Sequence, residues 1–392
     1  MSTVKALGLK KTKALGLPQN NNDNEGQVEE VYKIKMTTPL DSGSANEKDM
    51  SKTQKGMIHE RTYTFIVEDY IGKKPKSTND INWELSYYDS DENAWLDLPI
   101  SGKGERIDLV MQNIDTCGRY IKIRAYIHDK KNNAVLKIWK HNRFRWFNGS
   151  KLYGEVLDRI VKPYEINQDD TNTCGPSAIM YVFAKRFKRE YTNFIINLHR
   201  KGYVEFNKYK IDISRNSDLR KISETNPLTA KYFPKNMAYS DWIPNTCITD
   251  QENGVFDFVG DNKEDFSAIT LPSRLAKLAK DLLGFTDVQN NTNLVFNKTV
   301  GATVNDINEL IDTKNQGYEV FMLVSMNILH NKVTTDLTAT AEHWIVLEDV
   351  KLSSDPDFVE LKLYTFGEAP TKVYKLSYDV FRTNYYGYVK AR

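Results

Sequence analysis

Cysteine is scarce in this chain: 392 residues carry three, Cys117, Cys174 and Cys247. An odd, sparse count argues against a disulfide framework and leaves room for a reactive thiol. No Cys-x-x-Cys or His-x-x-x-His pair occurs, so the spacing lends no support to a zinc site, and no cofactor is expected. Charge of one sign is not in excess either. The formal net charge is +2, which gives no sign of broad nucleic-acid binding. No run of eighteen apolar residues exists, so no membrane span is expected. A secretory signal needs an unbroken apolar region of about 7–15 residues. The lysines and glycines of residues 1–27 interrupt any such run, and the chain is expected to be made in the cytoplasm without a cleavable signal.

What is present reads as two folded units, the natural prior for this length. Twenty-two tyrosines and seventeen phenylalanines tilt the chain toward strands. Residues 1–56 read as a disordered tail and flexible segment. The tail repeats Lys-Ala-Leu-Gly-Leu at 5–9 and 13–17 and then runs into an asparagine-rich stretch, and 41–56 is again small and polar. A floppy tail is the plain reading; an address recognised by an export machine is the sharper one. Residues 57–143 alternate in short runs, such as Thr62–Val67, Trp83–Tyr88, Arg106–Val110 and Tyr120–Tyr126, separated by polar turns. This spacing predicts an antiparallel sandwich of immunoglobulin-like type with no catalytic constellation. Residues 144–392 change character. Helical patterns at 174–188, 191–200, 272–284 and 304–314 precede strands at 318–326, 343–351, 358–366 and 385–391, an α+β order. The portion 203–270 reads as an insertion: a hairpin at 203–214, then an irregular stretch bordering a substrate cleft.

Chemistry concentrates around Gln168-Asp169-Asp170-Thr171-Asn172-Thr173-Cys174-Gly175-Pro176-Ser177. A thiolate attacks a carbonyl, and a helix N-terminus or an imidazolium lowers a cysteine's pKa. Asn172 or Thr173 can cap a helix that begins at Cys174, and Pro176 suits its first turn. Gly175 permits close approach of a substrate backbone. Gln168, with Asn167 as its rival, can offer a side-chain amide to a developing oxyanion. Cys117 and Cys247 lack a helix start behind them and read as structural. Among six histidines, His343 opens the apolar strand His343-Trp344-Ile345-Val346-Leu347 and is placed as a general base, with His330 in reserve. His199, at a helix end, is explained as a cation on the helix dipole. Thr365 or Glu368 could orient the imidazole; Glu348 and Asp349 are poorer choices.

These residues resemble the papain-like cysteine peptidase superfamily, and within it the bacterial double-glycine (bacteriocin-processing) peptidase-like branch. The resemblance covers about 160–392. It rests on Gln168-x5-Cys174-Gly175-Pro176-Ser177-Ala178, the run Ile307–Met326, His343-Trp344-Ile345-Val346-Leu347, and Thr365-Phe366-Gly367 followed by Leu376-Ser377. It implies a papain-like domain with Cys174 as nucleophile, His343 as base and Gln168 as oxyanion donor. Family members carry Asn or Asp two positions before an aromatic-Gly pair, and Tyr364 stands there. The third member is therefore Thr365, Glu368 or absent. The implied function is hydrolysis of a peptide or amide bond by a bacterial effector or toxin. A protein or peptide substrate follows, a peptidoglycan peptide among the options, with a secretion-apparatus or immunity-protein partner. Deamidation, acyl transfer and a decayed binding protein are the alternatives.

Overall fold

The structure is a computed structural model that describes residues 29–100, 102–128, 134–214, 216–253, 270–293, 303–334 and 343–392. The tail at 1–28 and its repeat lie outside the described residues. The first unit is built of strands with two short 3-10 turns between them: β1 Glu30–Met36, β2 Asp41–Ser44, β3 Thr53–Gly56, β4 Thr62–Ile71, β5 Asn82–Asp89, β6 Ala94–Leu98, β7 Arg106–Val110, β8 Arg119–Tyr126 and β9 Ala134–Lys140. Two antiparallel sheets form, ordered β1-β4-β7 and β6-β5-β8-β9. Alternation along each strand sends one set of side chains inward. Tyr63, Phe65, Ile107 and Leu109 from the first sheet meet Trp83, Leu85, Ile121 and Ile123 from the second in one cluster.

Residues 29–56 correct the expectation of a flexible segment. β1 is a strand of the first sheet, and β2 and β3 form a hairpin that straps the joint between the two units. Ser44 donates its N–H to the Arg145 carbonyl at 2.8 Å, and Asn148 Nδ2 donates to the Glu47 carbonyl at 2.7 Å. Asn46 Oδ1 accepts from the Gly149 N–H at 2.8 Å. The small polar residues that read as loop are satisfied by a distant segment rather than by water, which composition cannot reveal.

The second unit contains α1 Gly149–Val161, α2 Cys174–Arg186, α3 Lys188–Lys201, β10 Tyr203–Phe206, β11 Tyr209–Asp212, α4 Tyr239–Asn253, α5 Pro272–Asp281, β12 Val288–Asn290, α6 Thr303–Asn315, β13 Glu319–Val324, β14 His343–Leu352, β15 Phe358–Tyr364, β16 Val373–Ser377, α7 Tyr378–Asn384 and β17 Tyr385–Ala391. Its six-stranded antiparallel sheet runs β12-β17-β13-β14-β15-β16. With the seven α-helices among the described residues this makes the chain α+β. The sheet is covered on both faces. Phe321, Leu323, Trp344 and Val346 join the cluster built by α1 to α5, whereas Val320, Met322, Ile345 and Leu347 join the cluster under α6 and α7. This explains why residues 320–324 read as an unbroken apolar run, all six residues of β13 being buried.

Two helices were not legible in the sequence. α1 is capped by Asn148, whose Oδ1 accepts from Ser150 and Lys151 N–H groups at 2.9 and 3.0 Å. α4 falls in the stretch expected to be irregular, because Pro244 reads as a breaker. It is instead a core helix, with Tyr239, Trp242, Ile243, Cys247 and Ile248 fully buried. The hairpin expected at 203–214 is β10–β11.

Candidate active site

Helix α2 begins at Cys174, and every residue from Cys174 to Ala184 is buried. Its mouth is organised by a chain of hydroxyls. Thr171 Oγ1 donates to the Gln168 carbonyl at 2.6 Å and lies 2.7 Å from Thr173 Oγ1. Thr173 occupies the N-cap position, yet its side chain caps nothing, because its hydroxyl is turned to Thr171. Gln168 is 9% exposed and its Nε2 donates to the Thr171 carbonyl at 3.0 Å. That bond uses one of the two amide hydrogens and leaves the second. Gly175 is explained by a protein neighbour rather than by a substrate: a Cβ there would fall 2.4 Å from the Thr270 side chain.

His343 is the first residue of β14 and only 3% exposed. Its Nε2 lies 2.9 Å from Thr365 Oγ1, and its ring stacks on Phe366 at 4.5 Å with planes 7° apart. The chain reverses at Thr365-Phe366-Gly367-Glu368. Glu368 N–H bonds the Thr365 carbonyl at 3.0 Å, and the central residues both have positive φ, +46° at Phe366 and +72° at Gly367. A type I′ geometry of this kind sets the Phe366 ring over the imidazole. Two predicted members therefore come together, His343 and Thr365. Glu368 sits on the exposed side of the turn, and Glu348 and Asp349 are committed to Lys185 at 2.7 Å and Lys362 at 3.5 Å.

The remaining members are drawn to the same end of the layer by three links. Helix α2 and strand β14 run in the same direction, pinned at their far ends where Tyr181 Oη donates to Glu348 at 2.9 Å. At the near end Trp344 Nε1 donates to the Thr270 carbonyl at 2.8 Å, and Thr270 rests on Gly175. Tyr364 stacks on Tyr181 at 3.9 Å and donates its hydroxyl to the Ile166 carbonyl at 2.7 Å, which ties the Gln168 loop to the end of β15. Along β14 the pleat turns Trp344, Val346 and Glu348 toward α2. His343 shares the opposite parity with Ile345 and Leu347, at the strand's open end.

Asn167 is occupied within its own loop. Its Oδ1 accepts from the Asp169 N–H at 3.0 Å, and its N–H donates to Asp241 Oδ2 at 3.1 Å. Asp241, on α4, also accepts from Arg159 Nη2 at 2.8 Å. This buried anchor was invisible in the sequence, because its helix was. Thr270, Trp344 and Tyr364 were missed as positioning residues; the aromatic-Gly pair at 366–367 was the one signal available. His330 is exposed.

Burial dominates the electrostatics. His343 is pushed down to about 4 by loss of solvent. His199 is likewise pushed down to about 4 by burial, with its Nε2 on the Phe147 carbonyl at 3.1 Å. It is a neutral core residue and not the dipole-paired cation expected from its place at a helix end. For both, the unfolded chain binds the extra protons between pH 6.5 and about 4. Stability is therefore complete above 6.5 and lost as pH falls toward 4, each group accounting for about 3 kcal/mol. Urea midpoints are expected to be level near neutrality and to fall steeply over that window. A midpoint that stays level down to about pH 4.5 would contradict the burial of these imidazoles.

Cys117 and Cys247 are fully buried, and burial pushes both thiols up. No disulfide forms among the three cysteines. Among the described residues, no group of three or more His, Cys, Asp or Glu side chains is placed to hold a metal ion, and no helix is long and apolar enough to cross a membrane. Comparison with protein-family models, curated proteins and solved structures found no match to this chain.

Proposed function

We propose that the chain is a papain-like cysteine hydrolase acting on a peptide or amide bond, preceded by an immunoglobulin-like sandwich. The observation that carries this reading is the oriented imidazole. His343 is held edge-on by Thr365 and face-on by Phe366, at the same end of the fold as a thiol on a helix mouth. With Nε2–H donating to Thr365 Oγ1, Nδ1 carries the lone pair that accepts the Cys174 proton. The thiolate attacks the carbonyl carbon, the amine leaves with the proton returned by His343, and water hydrolyses the thioester. The oxyanion is assigned to the second Gln168 amide hydrogen, at the mouth of the helix that carries the thiol. Because burial keeps the imidazole neutral, it works as a general base rather than as a standing imidazolium.

Delivery as a bacterial effector or toxin, with an export or immunity partner, belongs to the same proposal and rests on the sequence resemblance. The test is expression in bacterial cytoplasm and periplasm, wild type against Cys174→Ala. Toxicity in one compartment that vanishes in the variant supports the hydrolase. Equal phenotypes favour a binding protein on a decayed fold. The near-complete burial of both groups, 4% exposed at Cys174 and 3% at His343, is the observation that gives this second reading weight.

A further inference from the structure

Between the two units lies a cavity of about 160 Å3 that the proposed hydrolase chemistry does not use. It is lined by His59 from the sandwich side, Arg143 and Arg145 from the connecting segment, and Arg220 and Lys221 from a 3-10 turn at Leu219–Lys221. Four cationic side chains share this space, and none of the described lining residues is a carboxylate. Arg143 is the decisive one. Its side chain is 5% exposed, yet Nε and Nη2 are buried with no hydrogen-bond partner. His59 is similar, with its side chain 8% exposed and Nδ1 buried without a partner. The nearest acid to both is Glu60, which is 67% exposed and stays 3.7 Å from His59 and 3.8 Å from Arg143, beyond hydrogen-bond reach. Arg145 has Asp41 at 3.8 Å, and Lys221 has the exposed Asp218 at 2.9 Å. Buried guanidinium N–H groups without acceptors are costly, and native interiors rarely keep them.

We propose that this cleft binds a small soluble molecule bearing one or two phosphoryl groups, which bridges the sandwich and the second unit. Phosphate supplies the paired acceptors that Arg143 lacks, in the planar geometry a guanidinium recognises. The size agrees: the cavity is below the roughly 300–1,000 Å3 typical of drug-sized ligands, which favours a compact oxyanion over a nucleotide. The charge environment agrees too. Burial and then the Arg143 charge push His59 down to about 4, and the same two causes bring Arg220 down to about 10. The groups repel one another, and an anion between them relieves that repulsion.

Calorimetric titration of the full chain with inorganic phosphate and with pyrophosphate, at matched ionic strength in chloride, tests this. Saturable binding of one pyrophosphate per chain is expected, tighter than phosphate and accompanied by a rise in melting temperature. Arg220→Gln should weaken binding about tenfold or more, the usual consequence of losing a charge-assisted contact. Lys221→Gln, at an exposed position, should weaken it by a few-fold with the fold intact. No saturable binding of either anion, or affinity unchanged in both variants, overturns the proposal. Much tighter capture of a phosphoserine peptide than of pyrophosphate overturns the small-molecule assignment.

Discussion

Replacing Asp241 with alanine is expected to cost the fold about 3–5 kcal/mol, the usual range when one member of a buried ion pair is removed. The carboxylate is fully shielded from solvent, and the Arg159 side chain it neutralises is only 12% exposed. Arg159 reaches Asp241 through Nε at 3.0 Å and Nη2 at 2.8 Å. It retains Glu165 at 3.3 Å as a second partner, which places the loss toward the lower end of that range. The same substitution strips the Asn167 N–H of its acceptor and so loosens the loop that carries Gln168. Urea unfolding should register the loss, and a decrease below about 1 kcal/mol would contradict the assignment. Arg159→Met combined with Asp241→Leu should recover much of it, since an apolar pair of similar volume leaves no charge stranded.

The anchor also explains how far the sequence could be read. The α2 mouth, the apolar run of β13 and the alternating strands β4, β5, β7 and β8 announced themselves because their local pattern agrees with their place in the fold. The order Gln168, Cys174, His343 supplied the components of the proposed site, and the aromatic-Gly turn hinted at its edge. The helix α4 was hidden by Pro244, and Asp241 was hidden with it. The β2–β3 strap was hidden because its polar groups are satisfied by residues about a hundred positions away in sequence. Tyr364 looked like a defect in the pattern, standing where the resemblance implies an amide or carboxylate. In the fold its hydroxyl holds the Ile166 carbonyl, while the next residue, Thr365, meets the imidazole. No local signal distinguishes those two jobs.

On the proposed hydrolase reading, His343→Ala is expected to lower amide-hydrolysing turnover roughly a thousandfold or more, as loss of the base does in nucleophilic hydrolases. Two consequences separate this from simple unfolding. The variant should lose part of the acid sensitivity between pH 6.5 and 4, because the group responsible is gone. Its far-ultraviolet circular dichroism should match the wild type, since the bond to Thr365 and the stack on Phe366 lie at the end of the strand and not in its middle. Turnover within about tenfold of wild type would remove His343 from the mechanism.

The most direct measurement is site-resolved alkylation of the three cysteines near neutral pH, read by mass spectrometry, in the wild type and in His343→Ala. Cys117 and Cys247 are internal controls, buried thiols whose surroundings favour the neutral form. An imidazole acting on the Cys174 thiol predicts that Cys174 labels first in the wild type and slows about tenfold or more in the variant. Labelling of Cys174 no faster than the controls, or a rate that is unchanged or higher without His343, would contradict an activated thiol.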